Sequence, residues 1–455
     1  MTKEQQLVKF ICECKYSDIP ESIIEVVKTQ IVADYAAQIA GVDAAGIQTL
    51  VDYTKEIGGK EEATILLHGG KVPADKAAFV NGSMARAWDI DDHRSPGIHI
   101  GTACLSATYA AAELVGGCSG EDFLTAVAIG MEVSYRLNLA EDEYAGFDPT
   151  GINAVFASAA SASWMLKLNE KQTLDALALA FNKCAGSFQS NVDGALAVRV
   201  IEGWSAETGV LCARLAQRGI TGPQNFLDGV YGYFFLYGRG KSETAKTACE
   251  GLGETWNVDT MQFKKFPSCG LTQGSTQLTV DIMDENNITA ADVEHVDVYL
   301  TPFNYKLVGQ FEIGENPKVD AQFGVAYCIA NALFRAPVKL IHFEDDYIRD
   351  QEIYNFTKEK MTVHSVQEII DTRSHYSSDL RIVTKDGRDI KKSIDIPPGT
   401  PDYPITKEEH TARFYDCVSI ANKEYITERA DEILERLSNI DKESDVRDLF
   451  ALFQC

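Results

Sequence analysis

NGSMARAWDIDDHRSPGIHIGT, residues 81–102, is the stretch whose reading decides the fold. Val80, Met84 and Trp88 recur every fourth residue, which predicts one face of a helix running from Pro73 to Trp88. Ser95-Pro96-Gly97 breaks that pattern. From His99 the run continues as ACLSATYAAAELVGG, a very apolar helix expected to stop at Gly116-Gly117. The fourteen positions from Arg86 to His99 hold Asp89, Asp91 and Asp92, two of the eight histidines (His93 and His99), and Arg86 and Arg94. Acids in a loop between helices are ordinary when water covers them. The second helix, however, offers little but alanine, Gly101, Cys104 and Ser106, so it is expected to be buried. A loop that opens a buried helix is held close to the core, where charge needs a reason. A helix N-terminus disfavours protonated imidazole, and a neutral imidazole beside carboxylates is an acid/base arrangement.

Working outward, 455 residues are too many for one simple core, and two domains are expected. The apolar fraction of 45% and charged fraction of 24% are those of a globular protein. No apolar run has the length of a membrane span. The opening MTKEQQLVKFICECKYSD lacks a signal-peptide pattern, which predicts a cytoplasmic protein. A formal charge of −25 argues against nucleic acid and acidic membranes as partners. An anionic substrate would then need a local positive cluster. The eleven cysteines are scattered without paired CxxC motifs, so neither a zinc ribbon nor a disulfide framework is expected. Cys104, Cys184, Cys212 and Cys328 read as small core residues. GxxxxGK[ST], GxGxxG after a strand, HExxH and GxSxG are all missing, so ATP, NAD, zincin and hydrolase readings have no motif behind them.

In chain order, residues 1–60 predict two or three helices, the second ending at Gly41. Further helices are expected from Ser119, across AVFASAASASWMLKL, over Glu170–Gln189, and from Gly203-Trp204-Ser205 to Gly219. The Ala/Ser-rich one is expected to be central, since small residues permit close helix approach. To about residue 255 the texture is all helical. It changes near FKKFPSCGLTQGS: VEHVDVYL alternates like a strand, and LRIVTKDGRDIKKSIDI reads as a hairpin about Asp386-Gly387. Between them, Ala321–Leu333 and residues 350–362 look helical. The fold expected is mainly α with an α+β part. Residues 1–261 and 397–455 form a large all-helical domain built from both termini, and 262–396 form a smaller inserted α/β domain.

The segments NGSMARAWDIDDHRSPGIH, GEDFLTAVAIGMEVSYRL, GFDPTG, ASAASASWMLKLN, ETGVLCARLAQRGITGPQNFLDGVYGYFFLY, FKKFPSC and PPGTPDYPIT together resemble the 2-methylcitrate dehydratase (MmgE/PrpD) family. That family also holds cis-aconitate decarboxylase and iminodisuccinate epimerase. The segments follow family order over nearly the whole chain. The resemblance implies that the α/β domain is a lid, that the protein is a homodimer, and that the active site lies between domains without metal or organic cofactor. The family reactions share one task, moving a proton at a carbon next to a carboxylate. Each needs a general acid or base at carbon and positive groups for the developing charge.

Carried over by the family pattern, Asp89 and His99 match the acid and histidine of the first motif, and His93 is expected to face the same pocket. Lys264 matches the lysine before the Phe-Pro pair, with Lys265 beside it. Cys269 stands where relatives carry Cys or His, with a packed thiol as the plain alternative. Arg199 matches a basic position. Three departures stand out: Asp148 in GFDPT where many relatives have His, Val198 where many have Lys, and Gln273 where a His is common. All three remove positive or protonatable groups. They predict a substrate with fewer carboxylates than 2-methylcitrate or cis-aconitate, or one whose ammonium group pairs with Asp148.

Three other readings compete. DIDD matches the DxDD of isoprenoid cyclases, but an aromatic fraction of 9% leaves little to line a carbocation cavity. A metal site could draw on Asp91, Asp92, His93 and His99. An inactive relative used for binding is the third. The reading favoured is a cofactor-independent, dehydratase-like lyase acting on a small di- or tricarboxylic acid. An epimerase or isomerase of an amino-, imino- or hydroxy-dicarboxylate and a decarboxylase of the cis-aconitate type are the alternatives. His99 is the leading general acid/base, and Asp89 orients it or relays a proton. Lys264, His93 and Cys269 complete the catalytic set. Arg199, Lys265, Asp148, Arg86 and Gln273 are expected to contact substrate, and no metal ligand is assigned.

Overall fold

In the computed structural model the described residues are 1–95 and 97–454. The protein is mainly α with an α+β part and divides into two compact units. One holds Met1–Asn191, Leu196–Met261 and the chain from Cys417 onward; the other holds Val192–Ala195 and Gln262–Asp416. No helix among the described residues is long and apolar enough to cross a membrane.

The first unit is built from α1 (Lys3–Glu13), α2 (Glu21–Ala40), α3 (Ile47–Ile57), α4 (Ala74–Ala85), α5 (Gly101–Leu114), α6 (Gly120–Leu137), α7 (Pro149–Met165), α8 (Glu170–Phe181), the single turn α9 (Gln189–Val192) and α10 (Ala197–Gln217). The Ala/Ser-rich α7 is the hub, packing on α5, α6, α8 and α10. All of its side chains except Trp164 are buried. Small residues make this possible. A Cβ on Gly130 of α6 would lie 2.7 Å from the Ala157 carbonyl oxygen, and one on Gly209 of α10 2.3 Å from Ser158 Cβ. Helices that meet backbone to backbone in this way gain dense dispersion contact without long side chains.

Several expectations are corrected. The helix expected to reach Trp88 ends at Ala85, and the chain tightens into turns in which Ala87 N–H bonds to the Met84 carbonyl at 3.2 Å. The break comes where Arg86 pairs with both Asp89 and Asp91, eleven residues before Gly97; Pro96 lies outside the described residues. The helix expected over 170–189 stops at Phe181, because the Asn182 side chain turns back to the Ala178 carbonyl at 2.9 Å and Gly186 takes a φ of +114°. The helix expected to start at Gly203 starts at Ala197. Gly203 is a crossing point instead, since a Cβ there would lie 2.3 Å from the Phe79 carbonyl oxygen of α4. The half read as wholly helical also contains a small antiparallel pair, β1 (Ala63–Thr64) with β2 (Lys71–Val72).

The second unit carries a four-stranded sheet in the order β4-β3-β5-β6, from β3 (Val293–Leu300), β4 (Met361–Ser365), β5 (Ser378–Thr384) and β6 (Asp389–Ile394). Alternation places Val296, Val298 and Leu300 in the core and His295 and Tyr299 on the other face. The hairpin β5–β6 turns at Gly387, whose φ of +87° suits a residue without a Cβ. Strand β4, parallel to β3, occupies part of the segment read as helix to residue 362; the helix there is Gln351–Glu359. The unit extends past residue 396 to Asp416. Phe263 N–H bonds to the Gly399 carbonyl at 2.8 Å, Lys265 pairs with Glu409 at 2.7 Å, and Arg413 donates to the Lys264 carbonyl. The ten cysteines among the described residues are free thiols.

Candidate active site

The stretch from Arg86 to His93 is a buried turn, and its charges are inside the protein. Asp91 and Asp92 are fully buried, and Asp89, Arg86 and His93 are buried as well. Asp89 sits in the left-handed region with φ +54°, a conformation Asp tolerates better than most residues. Two anchors hold the turn. Trp88 donates its indole N–H to the Ala40 carbonyl at 2.7 Å, and Arg94 exchanges backbone hydrogen bonds with Ile98 at 2.9 and 3.0 Å. Arg94 also lies over the Tyr135 ring and donates to the Tyr135 carbonyl at 2.6 Å.

Within this frame Arg86 gathers three carboxylates. It pairs with Asp89, with Asp91 at 3.3 Å, and with Glu202 of α10 at 2.9 Å. The other oxygen of Asp91 accepts from His99 Nδ1 at 3.0 Å. His99 stands just before α5, its backbone N–H donating to Thr150 Oγ1 at 3.0 Å, and the His93 ring stacks on it with centroids 5.8 Å apart. A carboxylate on Nδ1 makes that nitrogen the N–H donor, so in the neutral ring the basic lone pair is on Nε2. Arg86–Asp91–His99 is thus an oriented imidazole whose carboxylate is itself held by a guanidinium. Burial pushes Glu202 well above the ordinary carboxyl range, with the charge of Asp91 adding to the rise, whereas the surrounding carboxylates push Arg86 further up.

Behind the turn is a second acidic pair. Asp34 of α2 accepts the Asp92 backbone N–H at 3.0 Å. Asp92 accepts the Gly101 N–H at 3.1 Å and the Tyr135 hydroxyl at 3.4 Å. Burial, with neighbouring Asp charges, raises both: Asp92 to about 7 and Asp34 well above its usual value.

The sequence-derived residues fall as follows. Asp89 and His99 share the cluster, but the carboxylate bonded to His99 is that of Asp91. Arg86, read from sequence as a substrate contact, pairs with protein carboxylates in this structure. Arg199, buried near the start of α10, donates to the Ala45 carbonyl at 2.8 Å. Asp148 is the N-cap of α7, accepting from Thr150 and Gly151 N–H at 2.9 and 3.3 Å, and burial raises its pKa. Its carboxylate therefore serves a helix end rather than standing ready for an ammonium group. Asp148→Ala is expected to cost about 1 kcal/mol of stability and Asp148→Ser a few tenths, as for other N-caps, read by urea denaturation. Equal stability of all three proteins would return Asp148 to a ligand role.

Lys264, Lys265, Cys269 and Gln273 belong to the second unit. Lys264 is buried and Lys265 is paired with Glu409. Cys269 is half-buried, its backbone N–H donating to the Gln322 carbonyl at 2.9 Å. Gln273 braces the loop that carries them. Its Oε1 accepts from Lys265 and Phe266 N–H at 3.1 and 2.9 Å, and its Nε2 donates to the Phe266 and Ser268 carbonyls at 3.0 Å each. With both lone pairs and both N–H groups engaged by backbone, Gln273 shapes the loop and has no group left for substrate.

The metal reading is reshaped too. Ligand atoms of Asp89, Asp91 and His99 lie within 4.8 Å of one another, while Asp92 turns away toward Asp34. The donor set does not suit a cation, because the guanidinium of Arg86 already pairs with Asp89 and Asp91. Asp34, Glu202 and Thr150 were not singled out from sequence, and Asp91 was named only in the acidic loop and in the metal alternative. A signal for two of them exists: Asp34 and Glu202 are acids inside otherwise apolar helical faces.

Residues 5–245 match the model of the MmgE/PrpD N-terminal domain, and residues 266–439 that of the MmgE/PrpD C-terminal domain. The chain belongs to the MmgE/PrpD family. Among curated proteins it is similar to the cis-aconitate decarboxylase of Homo sapiens, 30% identical over 207 residues that make up 44% of this chain and 42% of that protein. It is also similar to the cis-aconitate decarboxylase of Mus musculus, 26% identical over 264 residues, 56% of this chain and 53% of that protein. The matched stretches thus span roughly half the length of these relatives. The family includes enzymes, and both relatives carry the name of a lyase.

Proposed function

We propose that this protein is a cofactor-independent lyase that removes a proton α to a carboxylate of a small di- or tricarboxylic acid, in the manner of a dehydratase. The observation that carries the reading is the buried Arg86–Asp91–His99 array, with His99 Nδ1 on Asp91 at 3.0 Å. Nε2 of His99 takes the α-proton. The electron pair of the broken C–H bond forms the new double bond as the β-hydroxyl takes a proton from His93 and departs as water. Asp91 stabilises the imidazolium that forms, and Arg86 keeps Asp91 ionised. We assign the substrate carboxylates to Lys264 and Arg199, whose charge would offset that of the enolate-like species. Asp89 and His93 complete the proton path, and Cys269 is a second group for protonation at carbon.

The positions of Asp148, Val198 and Gln273 support a substrate with fewer carboxylates than 2-methylcitrate. The first caps a helix, the second is apolar and buried, and the third braces a loop. A second reading, decarboxylation of the cis-aconitate type, draws on the names of the two relatives. Epimerisation through the same carbanion, with protonation by Cys269 or Lys264 on the opposite face, is the third. The test is incubation in deuterated water with citrate, 2-methylcitrate, cis-aconitate, malate, tartrate, aspartate and iminodisuccinate, followed by NMR. Deuterium uptake with an alkene product supports the dehydratase, uptake without net loss the epimerase, and loss of carbon dioxide the decarboxylase. Efficient turnover of 2-methylcitrate or cis-aconitate overturns the restricted substrate class.

The reading includes a homodimer. The exposed Val230, Tyr231, Phe235 and Leu236 form an apolar stretch suited to a subunit contact. Light scattering should return twice the chain mass, and a Tyr231→Glu/Phe235→Glu variant should return the monomer.

A further inference from the structure

We infer that Asp34 and Asp92 share one proton and act as a positioning pair that sets where Asp91 meets His99. The catalytic consequence rests on the reading above, but the effect on His99 does not. Four observations support the pair. First, Asp34 accepts the Asp92 N–H, so α2 grips the turn one residue beyond Asp91. Second, Asp92 accepts the Gly101 N–H, so the same residue grips the first turn of α5, which His99 precedes by two residues. Third, the two carboxyls face one point beside Gly101. The point a Cβ on Gly101 would occupy lies 2.0 Å from Asp92 Oδ1 and 2.4 Å from Asp34 Oδ2, with Gln30 Nε2 at 2.2 Å. Only glycine leaves room for that approach. Fourth, both acids are buried and like-charged, and such a pair is stable only when one member is protonated.

The groups facing the pair decide which carboxyl holds the proton. Asp92 receives an N–H from Gly101 and the hydroxyl of Tyr135, donors that favour an anion. Asp34 therefore carries the proton and donates it to Asp92. Around them stand Gln30 from α2, Cys104 from α5, Tyr135 from α6, Asp91 from the turn and Glu202 from α10. Arg86, the nearby cation, is spent on Asp89, Asp91 and Glu202. As pH falls through about 7, Asp92 takes a proton of its own while Asp34 keeps the first, so the anion held by the Gly101 and Tyr135 donors is lost and the turn that presents Asp91 to His99 must shift. Asp92 rises to about 7 from an unfolded value near 4. The folded state thus keeps a proton that the unfolded chain has released. This contribution to stability is complete below about pH 4 and is lost as pH rises through about 7.

The experiment uses the full-length protein with ¹⁵N-labelled histidine. His99→Gln identifies the His99 imidazole signals, which are then followed by NMR from pH 5 to 9 alongside deuterium uptake by the acid panel. Wild type should show a step in the His99 shifts near neutral pH. Asp92→Asn, which cannot ionise, should remove the step and carry the low-pH signature through the whole range. Tyr135→Phe, which takes a donor from the Asp92 anion, should move the step upward and keeps the test readable if Asp92→Asn fails to fold. Superimposable His99 profiles in all three proteins would overturn the positioning pair. The expected profiles without deuterium uptake from any acid would support the pair and count against the proposed reaction alone.

Discussion

His99→Gln is expected to lower α-deuterium uptake by about 10²- to 10⁴-fold, the usual range for losing a positioned general acid or base. The prediction follows from geometry. Asp91 holds Nδ1 at 3.0 Å, Thr150 holds the backbone N–H at 3.0 Å, and His93 stacks on the ring, so the imidazole is already oriented for one task. The side chain is partly open to solvent, at 16%, and Gln can still donate to Asp91, so the fold should survive. Thermal unfolding within a few degrees of wild type, with exchange lost, is the expected pair of results. Asp91→Asn should lose less than His99→Gln, because it removes orientation and charge but leaves the base. Exchange by the His99 variant at wild-type rates would move the proton transfer to Lys264, His93 or Cys269.

Arg86→Met should cause the largest loss of stability of any single change at the site, about 3–5 kcal/mol, the range for removing one partner of a buried ion pair. Three carboxylates lose their cation at once, and none can reach water: Asp91 and Glu202 are fully buried and Asp89 nearly so. The loss should shrink as pH falls from 7 to 5, because the stranded carboxyls can then take up protons that offset the missing charge. Adding Glu202→Gln should recover part of it at pH 7. Urea denaturation at the two pH values measures each effect. A cost below about 1 kcal/mol at pH 7 would mean that these carboxyls are already protonated with Arg86 in place, and the role of Asp91 as an anion behind His99 would fall.

Much of the fold could be read because local chemistry and packing agree. The apolar α5, the Ala/Ser helix α7, strand β3 and the Asp386-Gly387 hairpin each carry a period or turn signal that the structure keeps. The misreadings share one cause. Trp88 continues an apolar spacing past the true helix end because periodicity records burial, and buried residues also occur in turns; Cys184 and Phe188 continue one past Phe181 although both are only half-buried. Gly203 looks like a boundary because glycine ends many helices; here it permits α4 to approach α10. Strand β4 is short, and its period cannot be told from the tail of the preceding helix.

At the site, the sequence by itself determined the family and the inference that a buried helix behind an acidic loop imposes: those charges belong to the core and not to water. Which carboxylate meets the imidazole was decided only by the tertiary structure. Asp89, Asp91 and Asp92 are chemically identical, and spacing does not say which way each points. The left-handed turn at Asp89 sends Asp91 to His99 and Asp92 to Asp34, a partner 58 residues away in sequence. The same holds for Asp148 and Gln273, whose side chains were assigned to a ligand from residue type and are spent on backbone N–H and carbonyl groups. Hydrogen-bond partners are set by how helices pack, and a linear pattern records which residues are buried but not which of them meet.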